Sequence, residues 1–490
     1  MNPIIVLMNG GLRLDDQPAL AAAAAKGAPI LPLFVMDDAA HGQWAMGAAS
    51  RWWLRQSLTS LSQSFEDIGS RLILRTGDTA DVADALVAET GASGLYMLRG
   101  YSPTARKLEA VLHDLCAMRA IECRRFSGSL LIEPEHIATG GGTPYTVFTP
   151  FWRRARELVQ TFTPTPAPKR LSAPDTWPES TPLAALKLDP VPAAWAEPIA
   201  ANWLPGEAGA RVMLEKFVAE VMVGYKAGRD IPGTEGTSRL SPYLAHGEIS
   251  IRRIWHACQK AAALDEGAAG GSEAYLREIG WREFAHHLLY HFPDLPQKNL
   301  KAQFDAFPWR EGDGAALKEW RQGLTGFPIV DAGMRELWQT GWMHNRVRMI
   351  VASFLVKDLL WHWHDGAKWF WDTLVDADLA NNTMGWQWVA GCGPDAAPYF
   401  RIFNPITQGE KFDPDGAYVR RFVPELAALP DAYIHKPFEA PAEVLRAAGV
   451  TLGVTYPKPM VDRKLARERA LAALASTRAD QVQSLCHTGA

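Results

Sequence analysis

The sequence predicts an α/β domain followed by an all-α domain, and three observations carry that prediction. Over residues 4–126 short apolar runs alternate with helix-period segments at close spacing, the pattern of a parallel sheet with helices on both faces. From 163 to 200 the chain is rich in proline (TPTPAPKRLSAPDTWPESTPL) and reads as a connector. From about 207 the apolar period becomes helical and stays so. These set a Rossmann-like, doubly wound domain at 1–135, a linker at 136–204, a helical domain at 205–477 and a flexible tail at 478–490.

Each element has its own signal. IIVLM at 4–8 is a buried-type strand, followed by the loop NGGLRLDDQPAL and an alanine-rich helix at 18–26. PILPLFVMD at 29–37 is a second strand, and AASRWWLRQSLTSLSQSFED at 48–67 a helix. Strands at 71–77, 95–99 and 121–126 alternate with helices at 79–90 and 103–119. No GxGxxG follows the first strand, so a dinucleotide fingerprint is absent. Residues 128–152 read as irregular. The second half carries helices at 207–227, 241–245, 250–264, 272–291, 314–322, 327–339, 341–360, 366–376 and 460–476, punctuated by Gly and Pro.

Composition narrows the function. The chain has 490 residues, 48% hydrophobic and 21% charged, an ordinary globular balance. It shows no signal-peptide pattern and no run near the roughly 20 apolar residues of a membrane helix, which points to the cytoplasm. Five scattered cysteines without a CxxC fit reduced thiols. A net charge of −4 excludes a uniformly basic nucleic-acid coat but leaves room for a local basic groove. Tryptophan is the outlier: 19 residues, concentrated at and after Trp203. Most must be core; such density also suits stacking on a flat ligand or hopping of electrons.

Four runs can carry chemistry. DADLANNTMGWQWVAGCGPDAAPYFRIFNP (376–405) sets Asp376, Asp378, Asn382, Trp386 and Trp388 beside glycines that allow close backbone approach. It suggests a buried ligand site beside aromatic rings. Gly236–Tyr243 gathers hydroxyls where a helix begins; Ser241-Pro242 is an N-cap pair, and such an end also binds phosphate. Glu278, Trp281 and Arg282 share a helical face and either grip a base and a phosphate or form a surface pair. Asn345, Arg348 and Met349 mark a pocket rim or a helix entering the core. His287/His291 and His362/His364 lack HExxH and cysteine partners, so no metal site is expected.

Together these runs resemble the photolyase/cryptochrome family, most closely microbial cyclobutane-pyrimidine-dimer photolyases. The matching motifs are GTSRLSPYLAHG, IGWREFAHHLLYHFP, TGFPIVDAGMRELWQTGWMHNRVRM, DADLANNTMGWQW and DAAPYFRIFNPITQGEKFDPDG, in family order over about 225–420. The resemblance implies FAD contacts at Tyr225, Thr237, Ser238, Arg239, Leu240, Ser241, Arg348, Asp376, Ala377, Asp378 and Asn382. It implies a lesion pocket at Glu278, Trp281, Asn345 and Met349, with Asn382 facing the flavin and tuning it toward the reduced form. It further implies electron transfer through Trp386, Trp363 and Trp309. DNA contacts are implied at Arg229, Trp281, Arg282, Asn345, Arg346, Arg401 and Gln408. The implied activity is light-driven: reduced FAD gives an electron to a flipped-out pyrimidine dimer in ultraviolet-damaged DNA, and the ring splits. The implied protein is a monomer in the bacterial cytoplasm. The alternative is a cryptochrome-like blue-light receptor without repair. Two departures bear on an antenna chromophore, for which methenyltetrahydrofolate is favoured. Met8-Asn9-Gly10-Gly11 replaces the family's charged first loop, and YSPTAR (101–106) lacks an Asn-Glu pair. The lost charges predict a looser loop or an altered antenna site. Trp44, Arg51 and Trp52 lie in the right region, with packing the simpler role.

Overall fold

The computed structural model describes residues 1–160, 163–189, 192–395 and 400–487, with backbone alone at 193 and 478–487. Residues 396–399 of the first motif and 488–490 of the expected tail therefore lie outside the described residues; the last helix, Arg463–His487, runs through the rest of that span.

Strands β1 (Ile4–Leu7), β2 (Ile30–Met36), β3 (Ile73–Thr76), β4 (Gly94–Leu98) and β5 (Glu122–Phe126) form one parallel sheet in the order β3-β2-β1-β4-β5. Ile4 registers with Ile30 on one side and Gly94 on the other. β1, β2 and β4 are buried along their whole length, as strands covered on both faces must be. Alternation sends Ile4, Val6 and Phe34 into one core with Leu20 and Leu58, and Ile5, Leu33 and Leu95 into another with Leu86 and Leu112. The helices Ala48–Asp67 and Thr79–Thr90 occupy the predicted spans. The second is capped by Asp78, which accepts from Ala80 N and Asp81 N, and stops at Gly91 with φ 64°.

The altered first loop is held without the expected charges. Asn9 Nδ2 donates to Val35 O at 2.7 Å, and Val35 N donates to Asn9 Oδ1 at 3.1 Å. A Cβ on Gly247 would stand 2.8 Å from Gly11 Cα, so two glycines let the backbones meet. Arg13, 2% exposed, donates to Gly247 O at 2.9 Å and Asp16 O at 3.0 Å.

By contacts the chain divides into two compact units. One comprises Met1–Lys226, Ser238–Pro293 and Val375–Ala380; the other comprises Ala227–Thr237, Asp294–Leu374 and Asn381–Ala490. The first contains the sheet and the long Glu266–His291 helix. The second is helical, with Pro328–Thr340, Asn345–Ser353 and Trp363–Thr373 among its elements.

Several expectations are corrected. The span read as irregular contains the start of a helix, Phe148–Leu158, whose Phe148, Phe151, Trp152 and Ala155 are buried at helical spacing. Pro150 masked it, although proline is tolerated in a first turn. The helix read at 207–227 ends at Lys216 and passes into a π-helical turn, Phe217–Val221. The helix read at 341–360 begins at Asn345 and yields to a π turn at Phe354–Asp358. Leu379–Ala390 is a helix that the sequence hid behind poor formers, Asn381, Asn382, Thr383 and Gly385. Tertiary bonds hold it: Gln387 Nε2 donates to Leu295 O and Lys298 O at 2.8 Å, and Gln387 Oε1 accepts from Leu300 N at 3.0 Å.

Candidate active site

In the first unit the hydroxyl cluster folds differently from a cap. The Ser241–Ala245 helix takes Leu240 as its N-cap, with no side-chain cap bond. Ser241 Oγ instead donates to Asp376 Oδ2 at 2.6 Å, correcting the expected cap. A hydrogen bond to a carboxylate that is only 8% exposed is stronger than a neutral cap. Ser238 Oγ accepts from Leu240 N at 3.3 Å and bonds the buried Tyr275 hydroxyl. Arg239 adopts φ 52° and lays its guanidinium 4.1 Å above the Trp203 ring. Tyr225, buried, packs edge-on against Phe217 at 5.6 Å and Tyr275 at 5.3 Å. The cluster thus offers hydroxyls, a carboxylate and a cation within one aromatic wall.

Asp378 stands 3.6 Å from His286 Nε2, and burial pushes that imidazole well below its ordinary range. His286, Asp378 and Arg282 line a cavity of about 600 Å³ that also reaches Asn9, Asp37 and Arg99, just past the carboxyl ends of β1, β2 and β4. Ligands of α/β sheets bind at such ends. Arg282, expected on DNA, donates to Ser129 O at 3.0 Å in this structure. Glu278 and Trp281 are half-buried one turn apart on the Glu266–His291 helix. One face of Trp281 lies on Phe148, with centroids 3.6 Å apart and planes at 9°. Sequence reasoning missed Phe148; the apolar spacing of FTPFWRRA would have found it.

The second unit holds the rest. Asn345 is exposed and Met349 half-buried one turn later, on one face of the Asn345–Ser353 helix. Arg346 donates to Asp230 Oδ1 at 2.9 Å, lies 4.4 Å above Phe412 and reaches Met349 Sδ at 3.9 Å. Arg229 is 3.9 Å from the same Asp230 carboxylate. Arg348 Nε donates to Met343 O at 2.7 Å. Asn382 Nδ2 donates to Ala367 O at 3.0 Å, which fixes the amide's orientation. Thr237 and Gln408 are half-buried and Arg401 exposed.

The tryptophans expected to carry electrons are all in this unit. Trp386, 3% exposed, meets Phe370 edge-on at 5.0 Å and Trp320 at 6.3 Å. Trp363 is fully buried, its Nε1 donating to Asn299 Oδ1 at 2.9 Å. Trp309 is half-buried against Phe307 at 4.2 Å. Apart from these, Trp338 is 46% exposed and stacks on Trp369 at 5.9 Å and 2°, with Arg321 5.4 Å above Trp369. Trp44 and Trp52 are buried packing residues. Among the described residues no group of His, Cys, Asp and Glu could hold a metal, and no helix is long and apolar enough to cross a membrane.

A parallel α/β sheet, a helical unit rich in buried indoles and a hydroxyl–carboxylate cluster define a chromophore-binding protein of two-part design. Residues 4–169 match the family described as DNA photolyase, and residues 275–476 the FAD binding domain of DNA photolyase. The chain is 50% identical to the deoxyribodipyrimidine photo-lyase of Agrobacterium fabrum over 476 residues, 97% of this chain and 98% of that protein. It is 39% identical to cryptochrome-2 of Arabidopsis thaliana over 98% of this chain and 79% of that protein. Its fold superposes on a bacterial class III photolyase from Agrobacterium tumefaciens with a TM-score of 0.94, at 50% identity and 98% coverage of both chains. The chain belongs to the photolyase/cryptochrome family, and FAD is its cofactor.

Proposed function

We propose that this protein is a light-dependent DNA-repair lyase that splits cyclobutane pyrimidine dimers, working as a monomer in the bacterial cytoplasm. The observation that carries the reading is the 50% identity, over nearly the full length of both chains, to a protein named deoxyribodipyrimidine photo-lyase. The donor set fits FAD. Ser238, Arg239 and Ser241, with Thr237, suit a diphosphate; the carboxylates of Asp376 and Asp378 suit ribose hydroxyls and ring N–H groups. Tyr225, Leu240 and Ala377 complete the contacts, with Arg348 and Asn382 toward the ring.

Reduced FAD, when bound, supplies the light absorption and the electron that opens the dimer. The chain's residues do the rest. Trp281, its rear face fixed by Phe148, offers its front face to a flipped pyrimidine, and such stacking contributes roughly 1–3 kcal/mol per base. Glu278 hydrogen-bonds the pyrimidine edge; Asn345 and Met349 are further lesion contacts that the family resemblance implies. Asn382, an amide held by Ala367 O, offers no acidic proton near the flavin and so favours the reduced anion. Arg229, Arg346, Arg401 and Gln408 meet phosphates; Arg282 would have to leave Ser129 O to join them. Trp386, Trp363 and Trp309 return electrons to a flavin that has become oxidised.

The antenna reading favours methenyltetrahydrofolate. The strand-end cavity sets Asp37, Asp38, Asp78 and Glu109 against Arg13, Arg99, Lys107 and Arg282 and so gives a polyanion no net attraction, whereas the parallel Trp338 and Trp369 rings with Arg321 suit a flat anionic chromophore. Loss of a near-ultraviolet band in Trp338→Ala, with FAD kept, tests this.

The function itself is tested by light-releasable binding. The reduced protein should hold a dimer-containing oligonucleotide far more tightly than the undamaged one, and blue light should release it. A protein that binds both alike and is indifferent to light would favour the cryptochrome-like alternative.

A further inference from the structure

The electron path proposed above has three indoles, and a further ring touches two of them, Trp363 and Trp309. His362 lies 5.5 Å from Trp309, edge to face at 73°, and 5.7 Å from Trp363, near-parallel at 28°. The contact is built in by the backbone. Arg310 N donates to Leu360 O at 2.7 Å and His362 N to Arg310 O at 3.0 Å, so the segment carrying Trp309 is paired to the one carrying His362. The ring is also oriented. His362 caps the Trp363–Thr373 helix, its Nδ1 accepting from His364 N at 3.1 Å.

We propose that His362 is a positioning residue for flavin photoreduction, its imidazole seating Trp309 and Trp363 and serving as the π bridge by which an electron passes from the first to the second. This rests on the Trp386–Trp363–Trp309 reading. In the sequence one electron leaves Trp309 for oxidised Trp363, having been preceded by one from Trp363 to oxidised Trp386. A soluble thiolate then gives one electron to oxidised Trp309 and becomes a thiyl radical, and two thiyl radicals from two such events couple to a disulfide.

Three further observations support the assignment. Trp363 Nε1 donates to an amide oxygen, Asn299 Oδ1 at 2.9 Å, which does not accept the proton outright; a positive charge on Trp363 is therefore passed on and not trapped. Burial pushes His362 down to about 4, with Lys368 lowering it further and Asp305 opposing, so the bridge is uncharged at neutral pH. His364, also pushed down to about 4 by burial, with His362 and Lys368 lowering and Glu311 raising, packs 3.9 Å from Trp363 and 4.6 Å from His362. A neutral ring raises no electrostatic barrier to a passing positive charge, whereas an imidazolium would.

The test is flash photolysis of the FAD-loaded, oxidised protein with a thiol donor, in His362→Asn and His362→Phe. Asparagine keeps the cap acceptor and removes the ring; phenylalanine keeps a ring and removes the cap. The expected result is a several-fold lower yield of long-lived tryptophan radical in His362→Asn, at unchanged FAD content and thermal midpoint, with the yield restored in His362→Phe. Full yield in His362→Asn, alongside a loss in Trp363→Phe and Trp309→Phe, would overturn the role of the imidazole and leave the path standing. Unchanged photoreduction in Trp386→Phe would instead remove the path. Loss of FAD from both His362 variants would make the residue structural and end the proposal.

Discussion

Replacing Gly366 by alanine should drive a methyl group into the Trp386 indole. A Cβ at Gly366 would lie 2.0 Å from Trp386 Cη2, 2.4 Å from Cζ3 and 2.6 Å from Cζ2. Carbon atoms settle at about 3.5–4.0 Å, so either the ring or the helix backbone must yield by about 1.5 Å. The ring has little freedom, being 3% exposed and wedged by Phe370 and Trp320. Overpacking of this kind costs about 1–3 kcal/mol. The expected outcome for Gly366→Ala is a urea midpoint lowered to match that loss and several-fold slower flavin photoreduction under blue light with a thiol donor. Trp386→Phe removes the clashing benzo ring. The double variant should therefore regain part of the stability lost in Gly366→Ala, a favourable coupling in a double-mutant cycle. Strict additivity, or a Gly366→Ala protein as stable and as photoreducible as the parent, would refute the placement of Trp386 against this helix.

Three other outcomes follow from the same structure. Glu278→Ala should retain FAD while the light-driven repair yield falls; co-elution of the variant without flavin would contradict its lesion-side role. Phe148→Ala removes the ring behind Trp281 and should weaken dimer-DNA binding by about 0.5–1.5 kcal/mol, measured by anisotropy with FAD content as control. Stability should fall on acidification from pH 6.5 toward 4. Burial holds His246 and His344 at about 4 when folded against 6.5 unfolded, so their contribution is present above pH 6.5 and disappears below it, by about 3 kcal/mol each. Glu248 and Glu283, pushed up to about 7 by burial, act oppositely: their contribution is full below pH 4.5 and lost as pH rises through 7. Burial also lowers His286, His287, His362, His364 and His435 and raises Glu207, Asp331, Asp365 and Asp413, so seven histidines oppose six carboxyls and the net slope is acid-labile. A urea midpoint that is flat between pH 5 and 6.5 would contradict this.

The α/β half was legible because strands buried on both faces read as unbroken apolar runs, and capped helices such as Asp78–Gly91 announce both ends. Legibility failed where tertiary bonds overrule propensity. Leu379–Ala390 is helical despite Asn381, Asn382 and Gly385, since Gln387 anchors it to three backbone groups of 295–300. Ser241 looked like a cap because a serine before Pro242 usually is one; Asp376, 135 residues away, competes for its hydroxyl more strongly. The site motifs were readable as chemistry types. What no spacing encodes is the second ring at each tryptophan: Phe148 behind Trp281, and His362 touching Trp309. Those pairings join segments far apart or joined by backbone bridges, and only the fold brings them together.

The most direct test of the repair assignment is the loss of thymine dimers from an irradiated oligothymidylate mixed with the chemically reduced, FAD-loaded protein. Absorbance at the thymine band is followed in blue light and in the dark. The account predicts recovery of that absorbance under light alone, over many turnovers per protein. Dimers that persist under illumination with reduced FAD bound would contradict it.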